Sequence, residues 1–213
     1  QRHVIGLVTQ VEVDANDPGF KNPTKPVGYF YNEKEAEDLT EKMGWTMKED
    51  SGRGWRMVVA SPKPKHICDI SLVESLSSNG TIVIGGGGGG VPVVRNSQGL
   101  RNGVEAVIDK DLTTAHMANV LGFKDIMILT AVSHVAINFG KPEQQELKQI
   151  TVSEAKRYLE EGQFPAGSMG PKIEAAIRFI EGGGKRATIG HLEEALSALR
   201  GETGTHIVPD QEN

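Results

Sequence analysis

From about Ile67 onward the chain alternates short β-branched runs with amphipathic helical stretches. The strand candidates are residues 81–84 ("TIVI"), "DIMILTAV", "VAINFG", "RATIG" and "GTHIV". Helical spacing is read in a stretch over about 67–77, in "AVIDKDLTTAHMANVLG" (a short strand end opening into a helix), and in "TVSEAKRYLEEG", "PKIEAAIRFIEG" and "HLEEALSALRG". In the fourth of these Pro171 takes a favoured first-turn position, and Thr151 or Ser153 caps the third. Two parallel strands need a crossover between them, and a helix is its usual form. The order therefore predicts an α/β fold, a three-layer αβα sandwich whose mainly parallel sheet carries helices on both faces.

Residues 14–64 break the alternation. The stretch "DANDPGFKNPTKPVG" is rich in Asp, Asn, Pro and Gly and reads as loop. Asn32 then caps a helix with Glu35 at the capping-box position, running to about Met43. "EDSGRGW" turns into the strand "RMVVASP", which Pro62 and Pro64 stop. This segment reads as an inserted, protruding lid. The expected partition is a core strand in 1–13 (strand-like over 4–11), the lid in 14–64 and the αβα core in 65–213. Lys25, Arg53 and Arg56 make the lid basic, either as a solvated surface or as charge meant for an anion.

Bulk properties narrow the function classes. With 38% hydrophobic and 24% charged residues, the 213-residue chain can bury a core. A net charge of −5 with no strongly basic segment argues against nucleic acid as the main partner. No apolar run is long enough for a bilayer. The single cysteine, Cys68, excludes an intrachain disulfide and fits a reducing, cytoplasmic setting. Its apolar helical surroundings predict a buried structural thiol. The chain opens on Gln and enters strand-like sequence almost at once, so a preceding segment is expected to have been removed.

Three stretches could carry chemistry. Six consecutive glycines, Gly85 to Gly90, sit between "TIVI" and "VPVV". Such flanks suit buried strands better than a flexible linker. A glycine loop at a strand's carboxyl end lets backbone N–H groups close on an anion. A tight turn without a ligand is the alternative. "DKD", Asp109-Lys110-Asp111, and "GSMGPK", ending in Lys172, each put a lysine in the first turn of a helix. A cation there is unfavourable unless an anion compensates. Two such starts together suit phosphoryl transfer, in which lysines and amides stabilise spread negative charge, with Asp111 holding the lysines. The histidines show no zinc-ligand spacing, so no protein metal site is expected. "EGGGKR" follows a helix and reads as a turn.

In "TQVEVDANDPGFKNPTKPVG", "KEDSGRGWRMVVASPKP", "GGGGVPV", "AVIDKDL", "ILTAVSHVAINFGKP", "GSMGPKIEAAIRFI" and "GTHIV", the chain closely resembles the carbamate kinases of the amino acid kinase family. The resemblance implies a phosphotransferase that uses ATP/ADP and Mg2+ to interconvert carbamate and carbamoyl phosphate, often toward ATP in arginine fermentation, on a cytoplasmic homodimer. It implies catalytic roles for Lys110, Lys172, Asp111 and Lys25. Gly87, Gly88 and the lid's Arg53 would bind substrate. Thr130, Ala131, Val132, Phe139, Met169 and Pro171 fall where the family holds nucleotide. The family's opening third, with two further glycine loops, has no counterpart in these residues. Exposed edges, apolar surface and little turnover by the 213 residues alone are therefore expected. Another small-acid kinase of this fold, or a nucleotide-binding fragment without catalysis, are the alternatives; the lid sequence disfavours the first.

Overall fold

The computed structural model describes residues 2–50, 52–165 and 167–210. Gln1, Ser51, Ala166 and residues 211–213, which fall within the expected partition, lie outside the described residues. The chain divides into two compact units, Gln1–Lys110 and Asp111–Asn213.

The first unit runs β1 (Val4–Gly6), β2 (Gln10–Val13), β3 (Lys25–Tyr31), α1 (Glu33–Met43), β4 (Met47–Glu49), β5 (Trp55–Val59), β6 (Pro64–Ile67), α2 (Ile70–Ser78), β7 (Ile82–Ile84), β8 (Val91–Arg95) and β9 (Arg101–Gly103). β1 pairs with β7 in parallel. A second sheet has the order β6-β2-β8-β9, with β2 and β8 parallel and the outer pairs antiparallel. Val11, Val13, Ile67 and Val93 bury its apolar residues.

The strand expected over 4–11 is thus two strands in two sheets. Leu7 still bonds the carbonyl of Ile84 at 2.9 Å, but Gln10 is already paired with Val91. Residues 7–9 and the glycine run make this change of sheet side by side. They are tied where the Gly86 N–H donates to Thr9 Oγ1 at 2.8 Å.

Val13 is paired with Pro64, so everything between them is one excursion from the β2–β6 ladder. It carries its own antiparallel sheet, β3-β5-β4, and α1. β3 starts at Lys25, inside the stretch whose composition read as loop. Lys25, Pro26 and Val27 are strand because Val59, Val58 and Met57 pair with them. Asn32 and Glu35 form the expected reciprocal capping box, and Gly44 ends α1 at φ 67.

Pro64 opens β6 instead of ending a strand. As the edge strand of its sheet, β6 can spare the N–H that proline lacks. α2 consequently starts at Ile70, and Cys68 lies in the turn before it, only half-buried. The expectation of a buried helical thiol is corrected. Partial burial still pushes the thiol's pKa up.

The second unit is entered through α3 (Lys110–Val120), followed by β10 (Asp125–Thr130), β11 (Val135–Ile137), β12 (Gln145–Leu147), β13 (Gln149–Thr151), α4 (Val152–Glu160), α5 (Met169–Glu181), β14 (Arg186–His191), α6 (Ala195–Leu199) and β15 (Thr205–Val208). Its sheet has the order β10-β14-β15-β13. β10–β14 and β13–β15 are parallel, whereas β15 runs against β14. β11 and β12 form a separate antiparallel pair.

Helices cover both faces of this sheet. Ile173, Ala176, Ile177 and Ile180 recur on one face of α5 and share a core with Ala187 and Ile189 of β14. Full burial of side chains such as Ile173 and Phe179 stabilises by about 2–3 kcal/mol each. Gly190 points the other way, where an added Cβ would lie 3.5 Å from that of Ala198 in α6. The expected α/β sandwich is present. Its ladders are more mixed than the strand–helix alternation implied, because the chain returns through α6 to lay β15 antiparallel to β14. No helix among the described residues is long and apolar enough to cross a membrane.

Candidate functional site

In the second unit, the end of β10, the strand β11, the chain beyond α4 and the start of α5 enclose a cavity of about 210 Å³. Thr130, Val132, Phe139, Met169 and Lys172 line it, five of the residues singled out from sequence. Ala131 is exposed in the loop after β10 and Pro171 is half-buried in the first turn of α5; neither is among the lining residues. Lining residues that sequence reasoning missed are His134, Ala136, Gln163, Phe164, Pro165 and Ser168. His134 Nδ1 stands 3.6 Å from Glu146 Oε2 on the neighbouring β12.

The loop after β10 is held from below. The carboxylate of Glu194 accepts hydrogen bonds from Ser133 and Thr203, which keep its pKa below the ordinary glutamate value. On the cavity's other side, Asn138 adopts φ 52, and its N–H donates to Gln163 Oε1 at 2.9 Å.

Lys172 sits in the first turn of α5, where a cation is disfavoured by the helix dipole. The compensating anion is Asp111. Its Oδ2 lies 2.8 Å from Lys172 Nζ, and both side chains are nearly buried. Asp111 itself occupies the first turn of α3, a position that suits an acid.

In the first unit, Lys25 Nζ lies 2.6 Å from Asp109 Oδ2, with Asp109 buried. The two aspartates of "DKD" therefore each hold a different lysine, Asp109 holding Lys25 and Asp111 holding Lys172. Sequence reasoning gave Asp111 the lysines of the two helix starts and named no partner for Lys25. The flanking of Lys110 by two acids was the available signal. Lys110 opens α3 with an exposed side chain.

The glycine run is a shaped loop. Gly88, Gly89 and Gly90 have φ of 66, 113 and 89. A Cβ on Gly89 would collide with the carbonyl of Ile108, and one on Gly90 with the side chain of Val11. Gly87 and Gly88, by contrast, face open space. No acceptor for either of their amides is found among the described residues. Arg53, expected to bind substrate, is bonded to Asp50 at 3.0 Å. Arg56 reaches Asp50 at 3.3 Å and the carbonyl of Gly28 at 3.0 Å. Both guanidiniums lie 5.0 Å from the centre of the Phe30 ring.

Among the described residues no group of three or more His, Cys, Asp or Glu side chains could hold a metal. They form no dedicated cage. A magnesium ion travelling with a nucleotide takes most of its ligands from phosphate oxygens and water, and such an ion is compatible with these residues.

An apolar cavity ending in a lysine–aspartate pair at a helix N-terminus, on an α/β sandwich, is an arrangement suited to phosphorylated ligands. The amino acid kinase family matches residues 35–191, and the chain belongs to that family. It is 51% identical over 209 residues to the carbamate kinase of Pyrococcus furiosus and 52% identical over 209 residues to that of Clostridium perfringens. In both cases the match covers 98% of this chain and 66% of the relative. The structure of Giardia lamblia carbamate kinase bound to AMP-PNP superimposes with a TM-score of 0.85 at 45% identity, over 98% of this chain and 66% of that one. The chain thus spans about 66% of the length of the relatives it matches.

Proposed function

We propose that this chain is the nucleotide-holding portion of a carbamate kinase, which transfers a phosphoryl group reversibly between ATP and carbamate. The observation that carries the reading is the position of Lys172. The same lysine lines the apolar cavity and is held by Asp111. An apolar cavity suits a base, and a fixed ammonium at its edge suits the phosphates.

In this reading Thr130, Val132, Phe139 and Met169 bind the nucleoside, with Ala131 and Pro171 beside them. Lys172 neutralises charge on the transferred phosphoryl group, Asp111 keeps the ammonium in place, and Lys110 adds positive charge at the start of α3. Within the first unit, Lys25, positioned by Asp109, and the open amides of Gly87 and Gly88 are offered to the phosphate of the small substrate. Arg53 contributes to substrate binding after release from Asp50. Magnesium, when bound with the nucleotide, supplies further charge neutralisation. Carbamate and carbamoyl phosphate are the small-molecule partners. ATP formation in arginine fermentation, a cytoplasmic setting and a homodimer belong to the same proposal and rest on the family resemblance.

The test has two arms. Calorimetry measures ADP binding to the 213-residue chain, and ATP detection follows incubation with ADP, magnesium and carbamoyl phosphate. Binding is expected. Turnover is expected to be weak for a chain spanning 66% of its relatives' length. A chain that binds no nucleotide sinks the reading. Binding with no turnover favours the second reading, a nucleotide-binding portion without catalysis of its own.

A further inference from the structure

Gln163 is fixed in one polarity. A main-chain N–H can only donate, so the Gln163 atom 2.9 Å from the nitrogen of Asn138 must be the carboxamide oxygen. The amide nitrogen of this cavity-lining residue is left as the donor end of its side chain.

Both ends of this contact are held. Asn138 is the one non-glycine residue with positive φ among the described residues. Its carbonyl accepts from the N–H of Lys141 at 3.0 Å, which fixes the turn that presents Phe139. On the other side, Gly162 ends α4 at φ 70, and the N–H of Gln163 closes that end on the carbonyl of Tyr158 at 3.0 Å. Phe164, next in sequence, is buried.

The remaining wall is mostly apolar, contributed by Val132, Ala136, Phe139, Phe164 and Met169. Of the charged or titratable lining groups, Lys172 is bonded to Asp111 and His134 is turned toward Glu146. An apolar wall grips any flat ring by its area and does not set its orientation. A rigid donor does, because a ligand that buries it without an acceptor leaves a polar group unpaired.

We infer that Gln163 donates a hydrogen bond to a ring-nitrogen acceptor of the bound base, and that it thereby selects a nitrogen heterocycle in one orientation. The inference rests on the nucleotide reading of the same cavity.

Calorimetry on the 213-residue chain tests it with ADP and with its 1-deaza, 3-deaza and 7-deaza analogues, each lacking one ring acceptor. One analogue is expected to bind the unaltered protein about 10-fold more weakly than ADP. Gln163→Leu should bind that analogue and ADP alike. Gln163→Glu keeps an acceptor for the Asn138 N–H but places a carboxylate oxygen where the donor stood. It should keep its melting temperature and lose about 100-fold in ADP affinity. A residue that merely held the Asn138 turn would weaken ADP and all three analogues equally. That pattern, or an unaltered protein that does not distinguish the analogues, or a Gln163→Glu variant that binds ADP normally, overturns the inference. An unaltered protein that binds no ADP overturns the nucleotide reading first and the inference with it.

Discussion

The ammonium of Lys172 lies 2.8 Å from the carboxylate of Asp111, with only 12% and 9% of the two side chains exposed. Each charge has given up most of its water, and the pair is stable because each compensates the other. Removing one partner leaves the other charge poorly solvated. Lys172→Met and Asp111→Asn are each expected to lower stability by about 3 kcal/mol. The double variant should lose much less than the sum of the two. Urea denaturation of the four proteins measures this coupling, and strictly additive losses would contradict it.

The same lysine separates binding from chemistry. If its charge acts mainly on the transferred phosphoryl group, Lys172→Ala should reduce turnover by a larger factor than it weakens ADP binding. The comparison uses the protein with measurable turnover, at a temperature where the variant is folded. Undiminished turnover removes Lys172 from the site. A loss confined to ADP affinity reassigns it to ground-state binding.

Within the glycine run, structure and ligand binding should separate by residue. Gly89→Ala forces a Cβ against the carbonyl of Ile108 at φ 113 and is expected to cost about 3 kcal/mol. Gly87 has no atom within 4 Å of an added Cβ. Gly87→Ala should therefore leave the melting temperature within a few degrees of the unaltered protein. It should weaken carbamoyl phosphate binding if the amides of Gly87 and Gly88 serve the proposed phosphate contact. A Gly87→Ala variant that melts like Gly89→Ala would show the loop to be structural throughout.

Local features were the legible part of the sequence. The caps at Asn32 and Thr151 each engage a glutamate three residues on, and no tertiary contact is needed to form them. β3 was hidden because Lys25-Pro26-Val27 is strand only through its pairing with β5. The break between β1 and β2 was hidden because side-chain alternation does not say which partner a strand has. The same limit applies at the site. The two lysine-bearing helix starts could be read, but the choice of Asp109 for Lys25, 84 residues away, could not. Gln163 carries no motif. It reaches the cavity only because the end of α4 is folded beside the turn after β11.

On the excursion between β2 and β6, the two arginines should behave differently. Arg53 is 62% exposed, and its contact with Asp50 is screened by water, so Arg53→Ala should change stability by less than about 0.5 kcal/mol. Any loss of turnover in that variant is then a loss of function and not of fold. Both guanidiniums lie over Phe30, but Arg56 is only 21% exposed and bonds the Gly28 carbonyl as well as Asp50. Arg56→Ala is expected to cost about 2 kcal/mol. Thermal melts of both variants decide, and equal losses would mean that the two guanidiniums share the load.

His206 should make the second unit sensitive to mild acid. Its ring Nδ1 lies 2.9 Å from Thr188 Oγ1, and burial, then the nearby charge of Arg186, lower its pKa from the ordinary value of 6.5. His134 adds a smaller push in the same direction, and a bond with the backbone of Gly201 opposes it. The sign follows from proton uptake. Below pH 6.5 the unfolded chain protonates this histidine, while the folded chain resists until its lower pKa is reached. The stabilisation is therefore complete above about pH 6.5 and is lost as pH falls from there through the folded-state value. His206→Asn can still bond Thr188 but cannot titrate. Urea midpoints between pH 7.5 and pH 5 should fall more steeply for the unaltered protein than for this variant. Parallel profiles would show that the ring is charged as readily in the folded protein as in the unfolded chain.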